Sequence, residues 1–129
     1  MYMTKSQMKA LLKSQQGELD AVPMYQALAK AVPEKEDQET FLRLAKEEGR
    51  HASVFLNYTN VRLRPKKTKA ILLQKLYQVL GRERLYPLIA LGEYRAYKSY
   101  ERLLGDFPEV ESVRNDEKRH GDIVKGLLK

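Results

Sequence analysis

Residues 47–51 read Glu47-Glu48-Gly49-Arg50-His51, and residues 116–120 read Asp116-Glu117-Lys118-Arg119-His120. His51 and His120 are the only histidines in the chain, and each stands three residues after a glutamate. Positions i and i+3 of an α-helix share a face, so each stretch offers a carboxylate and an imidazole to one point in space. The surrounding sequence supports a helix in both places. Phe41, Leu44, Glu48, His51, Phe55 and Tyr58 form an apolar stripe with steps of three and four, as do Val110, Val113, Glu117, His120, Val124 and Leu127.

Two further stripes have the same step. One is Met8, Leu11, Gln15, Glu18, Val22, Tyr25, Ala29 and Val32; the other is Tyr86, Ile89, Glu93, Ala96, Tyr100 and Leu103. Strand alternation is absent, and helix formers such as Ala, Leu, Glu, Lys, Arg and Gln dominate. The pattern predicts an all-α chain: a four-helix bundle of two helical hairpins within a single domain, residues 1–129. Pro33 is expected in the first turn of the second helix, followed by the dipole-compatible acids Glu34, Glu36 and Asp37. Gly105-Asp106-Phe107-Pro108 is expected to break the second hairpin. A long connection between the hairpins starts with the basic run Arg62-Leu63-Arg64-Pro65-Lys66-Lys67. It continues as a short helix from Thr68 to Leu80, stopped by Gly81. Pro23 falls inside the first stripe and predicts a kink there.

Each stripe carries a glutamate where a core residue belongs: Glu18, Glu48, Glu93 and Glu117. Buried carboxylates need a partner, and the stripes contain no Lys or Arg to provide one. Glu18 and Glu48 are equidistant from Pro33, and Glu93 and Glu117 are equidistant from Gly105. An antiparallel hairpin therefore sets each pair at one height. With the two hairpins in register, four Glu and two His fall in one layer, and their four negative charges balance two divalent cations. Carboxylate and imidazole donors suit iron or manganese. The pattern also repeats internally: Tyr25 follows Glu18 by seven residues, as Tyr100 follows Glu93.

Composition removes other classes. The chain has 129 residues, 24 Lys plus Arg against 17 Asp plus Glu, a formal net charge of +7, and no cysteine. The missing cysteines exclude a disulfide scaffold, a thiolate metal site and a thiol nucleophile within these residues. No apolar run approaches the ~20 residues of a membrane span, and no secretory leader is visible, so a cytoplasmic location is expected. No base-reading motif accompanies the basic run, so nucleic acid is not expected as a partner. The run reads as a solvated linker, or as a docking patch for an acidic donor protein, a membrane surface or nucleic acid.

On these residues, from about Gly17 to His120, the sequence resembles the rubrerythrin branch of the ferritin-like di-iron carboxylate family. The resemblance implies a ferritin-like bundle holding two iron ions, with manganese as the other candidate. Its ligands would be Glu18, Glu48, His51, Glu93, Glu117 and His120, with Glu48 and Glu117 nearest to bridging. Tyr25 and Tyr100 would be phenols close enough to bond a ligating carboxylate; ordinary core packing is their other reading. Glu47 and Asp116 would orient a ligand histidine. The family's further glutamate in the third bundle helix is replaced here by Ala96. The resemblance further implies reduction of hydrogen peroxide or dioxygen. Electrons would come from an external, rubredoxin-like donor, because no cysteine is present to hold an iron relay. The alternatives are a ferroxidase acting on Fe²⁺ and an iron-delivery module with little turnover. A homodimer is implied too, and the long connection permits exchange of hairpins between chains.

Overall fold

The computed structural model describes residues 3–129. Among them the chain forms five helices and no strand: α1 (Lys5–Ala31), α2 (Lys35–Thr59), α3 (Thr68–Leu80), α4 (Arg82–Glu101) and α5 (Val110–Gly126). Two compact units divide the chain. The first runs to Gln74 and contains α1 and α2; the second runs from Lys75 and contains α4 and α5.

The first unit is an antiparallel hairpin with a three-residue turn, residues 32–34. Thr4 starts α1 with a capping box: its hydroxyl accepts from the Gln7 backbone N–H, and the Gln7 side chain accepts from the Thr4 N–H. The helix continues through Pro23 to Ala31. Proline removes one helical donor and costs roughly 3 kcal/mol in isolation. Burial of the residues around it, Ala21, Met24, Tyr25 and Leu28, offsets that cost. Tyr25 stacks on Phe41 of α2 with ring centroids 5.8 Å apart. The second helix begins later than its sequence suggests. Pro33 lies before the N-cap residue Glu34 rather than in the first turn, because the chain is extended at Val32 and again at Glu34. Glu36 and Asp37 occupy the first turn as expected.

Asn60, in the left-handed conformation at φ 56°, closes α2. The extended stretch after it is fastened to α1 by three neighbouring side chains. Gln15 Nε2 donates to the Val61 carbonyl at 2.8 Å, and Gln15 Oε1 accepts from the Thr59 hydroxyl at 2.7 Å. Gln16 Nε2 donates to the Arg64 carbonyl at 2.9 Å, and the Asp20 carboxylate accepts from the Lys66 backbone N–H at 2.7 Å. The basic run is therefore a strap held along α1, not a free linker. The short helix α3 has the predicted bounds, and Gly81 at φ 74° makes the corner into α4.

The second unit pairs α4 with α5 across residues 102–109, a connection that contains the predicted break at Gly105–Pro108 but starts three residues before it, with Phe107 fully buried beneath the turn. The first turns of α4 run ahead of the apolar stripe, so Pro87 lies within the helix.

A candidate metal centre

In the first hairpin, Glu18 of α1 meets Glu48 and His51 of α2. His51 Nδ1 stands 2.9 Å from Glu18 Oε1 and 3.1 Å from Glu48 Oε1. All three are buried, at 3%, 1% and 4% exposure. The second hairpin repeats the arrangement with the same ring nitrogen. His120 Nδ1 stands 3.1 Å from Glu93 Oε2 and 3.4 Å from Glu117 Oε1. These three are buried at 8%, 1% and 0% exposure. Within each triple, one ligand atom from every residue lies within 4.8 Å of the others.

The donor sets fit a transition metal. Two ligand atoms about 2.1 Å from an octahedral ion at right angles stand about 3.0 Å apart, close to the nitrogen–oxygen separations in both triples. Two carboxylates and an imidazole form a mixed hard and borderline set, the kind that iron and manganese accept. The i, i+3 step places Glu and His on one face of α2 and of α5, and the hairpin turns bring the third donor level with them.

All six sequence-predicted ligands thus fall into two triples, one per hairpin. Tyr25 is fully buried against Phe41, and Tyr100 is buried at the end of α4. Glu47 is buried beside Glu48, whereas half-buried Asp116 accepts from Arg119 Nη2 at 3.2 Å. A cavity of about 250 Å³ lies on the flank of the first triple. Its wall includes Leu19, Gly49 and Ala52, the chain neighbours of Glu18, Glu48 and His51.

One element beside the second triple was not predicted. The Tyr94 ring crosses α5 at Gly121, where an added Cβ would come within 2.8 Å of its Cζ and 2.9 Å of its Cδ1. Its hydroxyl donates to Asp122 Oδ1 at 2.6 Å, and Lys125 Nζ stands 5.7 Å from the ring centroid. Tyr94 follows Glu93, and Gly121 and Asp122 follow His120, so this clamp sits one residue from the Glu93–His120 contact. The sequence signal was Gly121 itself: an interior helix glycine costs about 1 kcal/mol against alanine and calls for a reason.

Burial pushes the Tyr94 phenol up to about 12, with the hydrogen bond to Asp122 and that carboxylate's charge acting in the same direction. The folded chain therefore holds the proton more tightly than the unfolded one. This contribution to stability is complete below pH ~10 and is lost as pH rises toward ~12. Urea melts between pH 9 and 12 are expected to show wild type losing stability relative to Tyr94→Phe over that window. Parallel decline of the two would remove the assignment.

The rubrerythrin family model matches residues 9–128. Comparisons with curated proteins and with solved structures return no match. Two buried Glu-Glu-His triples on paired helices and a family match across nearly the whole length lead to one assignment: the chain belongs to the rubrerythrin family of ferritin-like di-iron carboxylate proteins.

Proposed function

We propose that residues 1–129 act as one domain that holds two iron ions and reduces hydrogen peroxide or, less rapidly, dioxygen. The observation that carries this reading is the repetition of one buried donor triple in both hairpins. Glu18, Glu48 and His51 supply one half of the ligand set, and Glu93, Glu117 and His120 supply the other. Glu48 and Glu117 would each offer the ions a fully buried carboxylate. When bound, two ferrous ions supply the two electrons that reduction of a peroxide bond requires.

The chain's own residues do the rest. Each hairpin turns its imidazole Nδ1 toward two carboxylates, so the donor atoms are arranged before an ion arrives. Leu11, Tyr25, Phe41 and Phe55 are fully buried in the first hairpin and keep bulk water from its triple. The Tyr25 and Tyr100 phenols are assigned to holding a proton beside a carboxylate. These residues contain no cysteine, so they hold no thiolate-ligated iron, and re-reduction falls to a donor outside this sequence.

Anaerobic Fe²⁺ titration followed by stopped-flow absorbance tests the reading. Two irons per chain, oxidised at once by peroxide and slowly by oxygen, are expected. Rapid oxygen-driven oxidation with release of ferric product would replace the peroxidase by a ferroxidase. Tight iron binding without turnover would leave iron delivery. No iron binding would end all three.

A further inference from the structure

The strap from Arg62 to Leu72 takes no part in the chemistry proposed above. It reads Arg62-Leu63-Arg64-Pro65-Lys66-Lys67-Thr68-Lys69-Ala70-Ile71-Leu72, with five cations and no acid, and no acidic residue follows before Glu83. Arg62, Arg64, Lys66, Lys67 and Lys69 are all exposed. None of them forms an ion pair among the described residues. The nearest carboxylate contact is from Asp20, which accepts from the backbone N–H of Lys66 and not from its ammonium.

Two large apolar side chains stand in the same stretch. Ile71 is 52% exposed and Leu72 is 53% exposed, while Ala70 between Lys69 and Ile71 is buried. The Ile71 N–H bonds to the Lys67 carbonyl, so Lys67 lies one turn before Ile71 on the same face, and Lys69 lies one turn before Leu72. The fastening of residues 61, 64 and 66 to Gln15, Gln16 and Asp20 means that the backbone is already ordered. Docking there spends little on fixing the chain.

We infer that this strap is a docking surface for an anionic lipid bilayer. A surface of this kind meets both components of the patch: headgroup phosphates attract the five cations, and the boundary with the acyl chains takes Ile71 and Leu72. A second copy of this chain placed strap to strap would oppose five like charges with five more. A nucleic-acid backbone would answer the cations but leave the two apolar side chains in water. The contact is peripheral, because no helix among the described residues is long and apolar enough to cross a membrane.

Co-sedimentation of the full chain with vesicles tests this. Wild type is expected to bind phosphatidylcholine vesicles containing about 30% phosphatidylglycerol and to ignore pure phosphatidylcholine, with binding lost at high salt. The triple variant Lys66→Gln/Lys67→Gln/Lys69→Gln should bind about a hundredfold more weakly, taking about fivefold per cation near an anionic surface. The pair Ile71→Ser/Leu72→Ser should weaken binding about tenfold while keeping the salt dependence. Circular dichroism and iron stoichiometry should be unchanged in both variants, which separates this surface from the metal centre. Equal binding to neutral vesicles, full binding by the triple variant, or preference for a DNA duplex or polyglutamate over anionic vesicles would overturn the inference.

Discussion

A Glu48→Gln variant is expected to bind iron at no more than half the wild-type stoichiometry and to lose the thermal shift that iron gives the wild-type chain. Glu48 is 1% exposed and lies 3.1 Å from His51 Nδ1. Glutamine keeps its shape but replaces a charged donor by a neutral amide, a poor partner for a hard divalent ion. The metal-free protein should respond in the opposite sense. Glu18 and Glu48 offer oxygens within 4.8 Å of each other beside a single imidazole, so removing one of two like charges relieves repulsion. Binding to the folded state alone adds about 2.7 kcal/mol at a hundredfold excess over Kd. That is on the order of 10 °C for a chain of this size. Calorimetry should therefore give two wild-type curves about 10 °C apart. The variant should give superimposed curves at or above the metal-free wild-type midpoint. A variant that melts far lower without metal, yet still shifts with iron, would make Glu48 a structural ion-pair residue.

The second large effect is expected at Gly121→Ala. The new methyl would collide with the Tyr94 ring, so the ring or the helices must shift. Either the ring moves and gives up its bond to Asp122, or α4 and α5 separate. Overpacking costs about 1–3 kcal/mol, and a lost solvent-exposed hydrogen bond about 0.5–1.5. The gain in helix propensity returns about 1, leaving a net loss of about 0.5–3.5 kcal/mol and a Tm lower by up to roughly 10 °C. In a Tyr94→Ala background the same substitution should be neutral or mildly stabilising, and that non-additivity is the signature of the contact. Because the clamp adjoins the Glu93–His120 pair, iron stoichiometry should fall with Gly121→Ala alone. Additive losses would show that Tyr94 and Gly121 act independently.

Much of this was legible in the residues. Stripes with steps of three and four report which face of a helix is buried, and a glutamate or histidine on such a face stands out because burial is costly for it. Glu18, Glu48, His51, Glu93, Glu117 and His120 were found that way. Gly81 could be read because a helix stop that needs positive φ favours glycine. The parts that escaped depend on partners distant in sequence. Gln15 sat in a stripe, but nothing local said that its amide would hold Val61 and Thr59, or that Gln16 and Asp20 would turn a basic linker into a strap. Pro23 and Pro87 argue locally against helix, and tertiary burial overrides that preference. Pro33 falls ahead of α2 because a three-residue turn, extended at Val32 and Glu34, comes before the helix. The close approach of Tyr94 to Gly121 likewise joins residues distant in sequence.

The donor triple has a consequence for ancestry. Each hairpin carries its own two carboxylates and one imidazole, and its two helices bring them together. On the function proposed above, such a hairpin would be half of a two-ion ligand set. Duplicating one gene segment would double the donors without inventing a new fold. The matching Glu-x6-Tyr and Glu-x-x-His signatures are what a single copying event would leave behind. Ala52 follows His51 where Gly121 follows His120, and Leu19 follows Glu18 where Tyr94 follows Glu93; the Tyr94–Gly121 contact marks where the two halves have since drifted apart.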